Sequence, residues 1–189
     1  MSMTETRVWL VAILAAGLVA CGESGEPLRV TEDMVQLTQE ASQVVLGGTM
    51  WVTSEGVRRA RVEADTAFII DEKATVELRM MTVIFFGAAG DTTSILTSRE
   101  GEYDWNSQNM VARGDVVVLN PEDGRRVETS VVYYDGLDDR IWGDQPTKIW
   151  EPDGALVEGT AFETDPRMDR VELTAPSMAK SGAQPLRER

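Results

Sequence analysis

Along this chain, apolar positions alternate with polar ones in short runs broken by turn formers, and the alternation begins at Thr49. The clearest run is Asn109–Leu119. There Met110, Ala112, Val116 and Val118 fall on one face, and Asn109, Val111, Arg113, Val117 and Leu119 on the other. A period of two, with valine, isoleucine, tyrosine, phenylalanine and threonine crowding the runs, predicts β-strands. The turns have a mechanism: in NPEDG and EPDG, proline presets φ and glycine accepts a positive one.

The run belongs to a unit written twice between Thr97 and Gly154. Each copy has a Tyr-Asp pair (Tyr103-Asp104, Tyr134-Asp135). A bulky apolar residue follows seven positions after the tyrosine (Met110, Ile141). Next come a Gly-Asp break (Gly114-Asp115, Gly143-Asp144), a second apolar run (Val116–Leu119, Thr147–Trp150) and a closing turn. A looser third copy covers Phe68 to Asp91. A spacing of about 30 residues marks a repeated supersecondary unit, here a β-hairpin with a crooked second strand. Gly114 and Gly143 inside strand patterns read as bulges or close backbone approaches. At Met80-Met81 a bulge would swap faces, which makes the assignment of Leu78 and Val83 depend on it.

Upstream, Met34, Leu37, Ala41, Val44 and Val45 recur at helical spacing. This predicts a short helix over Asp33–Leu46, capped by Thr31 or Asp33 and stopped at Gly47-Gly48; its last turn also fits the start of a strand. TMWVT, the turn SEG and VRRARVEADTAFII predict the first hairpin, with Val62, Ala64, Phe68 and Ile70 on one face. Gly159–Val171 predicts one last short strand, and Lys180–Arg189 is a polar tail, expected to be disordered.

Composition narrows the chemistry. The net charge is −14, from 32 acidic against 18 basic residues. With no long basic cluster, nucleic acid is not an expected partner. Histidine is absent, which removes Ser-His-Asp catalysis and His-ligated metal. No nucleophile elbow, phosphate loop or dinucleotide fingerprint occurs. No enzyme activity, cofactor or metal is expected. A carboxylate pair for sugar hydrolysis and a calcium loop at Asp135-Gly-Leu-Asp-Asp139 are disfavoured because the aspartates concentrate in turns. Arg58, Arg59 and Arg61 form the dense positive group, read as a solvated strand edge more than a phosphate contact. Trp105, Trp142 and Trp150 would make a sugar-stacking platform only if coplanar and exposed.

The single cysteine, Cys21, forbids an internal disulfide. It follows Leu18-Val19-Ala20, after Arg7 and a short apolar run, Val8–Ala20. This resembles a bacterial lipobox. The resemblance implies a signal peptide over 1–20, cleavage before Cys21 and lipidation there, palmitate being a usual acyl group. Residues 21–48 would then be a lipidated tether with the short helix, 49–175 the β-domain and 176–189 the tail. Two or more acyl chains anchor a protein stably.

The order EGVRRARVEADTAFI, VELRMMTVIFF, GDTTSILTSREGEYDW, MVARGDVVVLNPEDGRRVETSVVYYD, RIWGDQPTKIW and GALVEGTAFETDP resembles the LptC family, from about Met50 to Pro166. Two departures are the lipobox, where many members have a membrane helix, and Thr147, where valine is favoured. The resemblance implies an all-β fold, a twisted open β-jellyroll of repeated hairpins whose inward residues line an apolar trough. It further implies a non-enzymatic carrier in lipopolysaccharide export. The carrier would take acyl chains from an inner-membrane ABC transporter and pass them to a periplasmic bridge protein, with strand addition joining the β-domains. The expected location is the periplasmic face of the inner membrane, with the outer membrane as the other option. On this reading the trough is lined by Val62, Phe68, Leu78, Val83, Phe85, Leu96, Tyr103, Met110, Val116, Val118, Val127, Val131, Tyr133, Ile141 and Ile149. The competing expectation is an envelope lipoprotein with a closed β-sandwich that binds polysaccharide or protein.

Overall fold

A computed structural model describes residues 32–54 and 56–179; Cys21, the signal segment and residues 180–189 lie outside the described residues. A short helix, α1 (Glu32–Glu40), precedes one antiparallel sheet of twelve strands. Six strands form a meander in which each pairs with the next: β1 (Gln43–Ser54), β2 (Val57–Ile70), β3 (Thr75–Phe86), β4 (Thr92–Asp104), β5 (Asn109–Leu119) and β6 (Arg126–Asp135). Beyond β6 the sheet forks. β7 (Arg140–Gly143) pairs with the end of β6, and β8 (Thr147–Trp150) pairs with its beginning. β10 (Ala161–Thr164) and β11 (Glu172–Thr174) continue outward from β7. β9 (Leu156–Gly159) and β12 (Ser177–Ala179) continue outward from β8.

The fork shows that the sheet has two leaves sharing their long strands. They meet along a crease, a transverse line where each long strand steps out of its ladder. The line runs through Gly47, Asp65, Met80, Arg99, Gly114-Asp115 and Ser130, which lie between paired neighbours without ladder partners of their own. It then passes through the links joining β7 to β8, β9 to β10 and β11 to β12. Gly47, Met80, Gly114 and Asp115 have φ of 65°, 51°, 77° and 48°. A positive φ reverses the pleat, so the chain turns there without losing pairing on either side. For Met80 and Asp115 that conformation costs about 1–2 kcal/mol each. Arg99 on β4 pairs its guanidinium with the Asp115 carboxylate, an ion pair set directly on the line.

The crease also sets which side chains face inward. On β2 the inward set changes from Ala60, Val62 and Ala64 to Ala67 and Ile69; on β3 it changes from Val76 and Leu78 to Met81, Val83 and Phe85. On β4 it passes from Leu96 and Ser98 to Gly101 and Tyr103, and on β6 from Val127 to Val132 and Tyr134. β5 spends two residues on the step, so Met110, Ala112, Val116 and Val118 keep one parity throughout. The leaves pack face to face into one apolar cluster. Phe85 of one leaf meets Tyr134 of the other edge to face, with ring centroids 5.0 Å apart. Met81 crosses the crease to lie on Gly101, where a Cβ would collide with its sulfur.

Three trough assignments are corrected by this geometry. Phe68 is buried, but it lies across from Glu77 on the outer face and outside the core cluster. Ile70 shares its parity, so neither joins Val62 and Ala64. Val131 and Tyr133 also face outward, and Val132 and Tyr134 take the inward places. Simple alternation counted through Asp65 and Ser130, where the pleat reverses. Two element boundaries move as well. The helix ends at Glu40, and Val44 and Val45 already belong to β1, with Gly47 inside that strand rather than ending a helix. The stretch Gly159–Val171, expected as the last strand, holds only β10 in full; β11 and β12 follow it, and β12 lies inside 176–189, the expected tail.

Candidate functional site: an apolar groove and a clasped interior

The repeat explains how the site is positioned. In each copy the Tyr-Asp aspartate closes the turn at one end of the sheet. Asp104 Oδ1 accepts the Asn106 and Ser107 amides at 2.7 and 2.9 Å; Asp135 Oδ1 accepts those of Leu137 and Asp138 at 2.9 and 3.2 Å. Those backbone donors hold the Asp104 carboxyl below the usual range. The Gly-Asp break lies at the crease, and the second turn closes the opposite end, with Asn120 Oδ1 accepting from Glu122 at 2.8 Å. Each copy therefore contributes one inward stripe to each leaf.

Twelve of the fifteen expected trough residues converge on the inner face as one cluster: Val62, Leu78, Val83, Phe85, Leu96, Tyr103, Met110, Val116, Val118, Val127, Ile141 and Ile149. They are packed against one another. Val118 is 0% and Tyr103 6% exposed, so over most of its length the interior is filled by its own side chains. It opens at the β1 end. A groove of about 250 Å³ there is lined by Val45, Met50, Ala67, Ile69, Leu78, Trp105 and neighbours. Its walls come from β1, β2 and β3 on both sides of the crease and contain no charged residue. Trp105 stands at its rim, half exposed and edge-on to Tyr103 with centroids 5.9 Å apart. Burial raises the Tyr103 phenol pKa, and the neighbouring Asp104 charge adds to the rise. Val45, Met50 and Ile69, partly buried against the core, were missing from the expected lining. Period-two counting from the crease, instead of through it, would have found them.

Away from the groove the mouth is fastened by polar side chains. Arg59 on β2 donates through Nη1 to Asp139 Oδ2 at 3.2 Å, and Tyr134 Oη donates to Asp139 Oδ1 at 3.0 Å. Burial, with the facing Asp139 charge second, pushes the Tyr134 phenol far above its ordinary range. On the outer face Glu77 and Arg79 sit beside Phe68, with the guanidinium carbon 5.9 Å from the ring centre. Burial, with Glu102 second, raises the Glu77 pKa.

The other candidate sites do not assemble. Trp142 stacks on Tyr133 and carries Arg140, while Trp150 carries Arg126 on the other leaf, so the three tryptophans form no common platform. Asp139 of the acidic turn is taken by Arg59 and Tyr134. Among the described residues, no group of three metal-ligating side chains occurs. Arg58 lies over Trp51 at 4.6 Å, and Arg61 reaches the same ring at 5.8 Å while pairing with Glu63. Thr147 is buried and donates to the Gln145 carbonyl at 2.8 Å, so the hydroxyl in place of valine is satisfied. Among the described residues, no helix is long and apolar enough to cross a membrane.

Residues 10–177 match the family model described as "Lipopolysaccharide-assembly, LptC-related". No curated protein sequence matches the chain. Among solved structures, the chain is similar to LptH of Pseudomonas aeruginosa, described as the LptA homologous periplasmic component of the conserved lipopolysaccharide transport device. The TM-score is 0.48 at 19% identity, over 69% of this chain and 89% of that one.

Proposed function

Because the chain belongs to the LptC-related family of lipopolysaccharide-assembly proteins, we propose that it is a non-enzymatic carrier on the periplasmic side of lipopolysaccharide export. Acyl chains would lie against the inner face of the folded sheet, entering at the groove. The observation that carries this reading is the groove itself, an uncharged apolar lining continuous with the inner face of both leaves. Burying apolar surface there contributes roughly 25 cal/mol per Å², and sugars and phosphates stay in water, where no charge is desolvated.

The two ends of the sheet support a choice of partners. β1 is one edge, and β11 with β12 forms the other. Edge strands carry unpaired backbone groups that accept a further strand. One edge would meet the periplasmic domains of the inner-membrane ABC transporter and the other a periplasmic bridge protein. Cys21 would carry the lipid anchor that keeps the chain at the membrane.

The test is photo-crosslinking in cells that make lipopolysaccharide, with the probe at Met50 or at Trp51. Met50 lines the groove, and Trp51 points away from it on the same strand, stacked on Phe86. An adduct with lipopolysaccharide at Met50 and not at Trp51 is expected. No adduct at Met50, with the protein folded and at the membrane, would refute the carrier reading and favour the closed-sandwich binding protein.

A further inference from the structure

The two edges of the sheet differ in length and in charge. β1 is twelve residues long and holds no charged residue and no proline. It pairs with β2 on one side, and its other side is an open edge. From Gly48 to Val52 its register with β2 is unbroken over five residues, so alternate residues there present backbone groups to a further strand. The opposite edge is split between β11 and β12, of three residues each. The one charged residue in those strands, Glu172, is already paired with Arg170, Oε1 to Nε at 3.2 Å.

The outer face beside β1 is positive. A register shift between Val52 and Thr53 leaves Arg59 without a ladder partner, and Arg59 turns to Asp139 at the mouth. The shift brings Arg58 and Arg61, three positions apart, to the same side of β2. Both guanidiniums lie over the Trp51 ring, the carbon of Arg58 4.6 Å and that of Arg61 5.8 Å from its centre. Trp51 is 45% exposed and stacks on Phe86 at 5.9 Å, with planes at 23°, which fixes the ring. Arg61 is engaged by Glu63 at 2.9 Å. Arg58 is exposed and pairs with no carboxylate among the described residues. In a chain of net charge −14, this is a local excess of positive charge beside an uncharged edge.

Resting on the strand-addition reading, we infer that β1 is a selective seat: it takes a strand of a different protein that places a carboxylate opposite Trp51, and Arg58 receives that carboxylate. A strand added to β1 lies about 4.8 Å beyond it, and its side chain opposite Trp51 comes within about 5 Å at Cβ. A glutamate there reaches the guanidinium held over the ring, and a lysine meets like charge. Backbone pairing gives affinity to any strand, so the side chains beside the edge supply the selection. Tryptophan and arginine are also the residue types that carry most of the energy of protein interfaces. A second copy fits the seat poorly. Its opposite edge offers strands of three residues against an unbroken run of five, and its Glu172 is taken by Arg170.

The test uses the full chain in detergent micelles and a set of synthetic strand peptides that alternate valine, facing the groove side, with threonine, facing outward. They differ only in the central outward residue, which is glutamate, glutamine or lysine. Methylation of alternate backbone amides keeps each peptide from pairing with itself. Fluorescence anisotropy of the labelled peptide reads binding, and hydrogen exchange reads its place. The glutamate peptide is expected to bind on the order of tenfold tighter than the glutamine peptide, through a charge-assisted hydrogen bond, with the lysine peptide weakest. The preference should shrink as salt is raised. Amides of β1 should gain protection, and those of β12 should not. Arg58→Gln should remove the preference, and Arg58→Lys should keep most of it. Arg58 is exposed, so both variants should melt as the native chain does. Equal binding of the peptides to the native chain overturns the selective seat, as does a glutamate preference that survives Arg58→Gln. A dimer seen in sedimentation and lost in Arg58→Gln also overturns it, the occupant then being a second copy. If no peptide binds and β1 gains no protection, strand addition at β1 is itself wrong, which is a separate failure.

Discussion

The contact between Phe85 and Tyr134 offers a direct measure of how firmly the leaves hold together. The rings come from β3 and β6, belong to opposite leaves, and meet at 5.0 Å with planes at 64°. A double-mutant cycle isolates that contact. Phe85→Leu keeps an apolar side chain of similar size and should cost about 1–1.5 kcal/mol. Tyr134→Leu also removes the hydroxyl that donates to Asp139, so it should cost about 2–4 kcal/mol. The edge-to-face geometry adds about 0.5–1.5 kcal/mol beyond area burial, which is the coupling expected between the two. The double variant should therefore be more stable than the sum of the single losses predicts, by that amount. Urea denaturation followed by tryptophan fluorescence reads the four stabilities, and each kcal/mol moves Tm by roughly 2–4 °C in a chain this long. Additivity within about 0.3 kcal/mol would mean that the rings are independent and the leaves do not close on each other here.

Other outcomes follow from particular sites. Gly143→Ala places a Cβ 2.7 Å from the Phe162 ring and 2.9 Å from the Val131 carbonyl, so it should destabilise by about 1–3 kcal/mol in the same denaturation assay. The Tyr134 phenol has its folded pKa raised, so its contribution is complete below the unfolded value near pH 10 and lost as pH rises beyond it. Stability should fall in alkali, and Tyr134→Phe should flatten that fall. Glu77 is also raised, so its charged form is the disfavoured one. Glu77→Gln should raise Tm at pH 7, and the gain should shrink as pH falls toward about 4, which thermal melts across pH would show. Val118→Glu puts a carboxylate at a fully buried position, where the cost of several kcal/mol consumes most of the stability of an ordinary domain. Loss of the circular-dichroism melt, rather than a folded protein unable to export, is the expected result.

The sequence displayed the repeat because a turn chemistry is local. Asp104, Asp135 and Asn120 each bond amides within three residues, so their motif recurs wherever the chain must reverse. It displayed the β5 faces for the same reason, since Gly114-Asp115 spends two residues and preserves parity. Val131, Tyr133 and Phe68 were misplaced because a pleat reversal at Ser130 or Asp65 has no glycine or proline to announce it. The neighbouring strands impose it through register. Met168 was invisible for a different reason. Its burial depends on Asn120 and Arg125, more than forty positions away, and nothing in PRMDRV sets that methionine apart from a surface loop residue.

The repeat carries a consequence for how such a protein changes size. Each copy supplies two strands, one crease step per strand and one turn at either end, and its strands hydrogen-bond only to those of the copies beside it. Inserting a further copy would widen the sheet by about 10 Å, two strand spacings, and leave its cross-section as it is. Deleting one would narrow it by the same amount. Width is therefore a quantity that gene duplication can count out in whole units, while the depth of the fold is fixed by the length of a single strand.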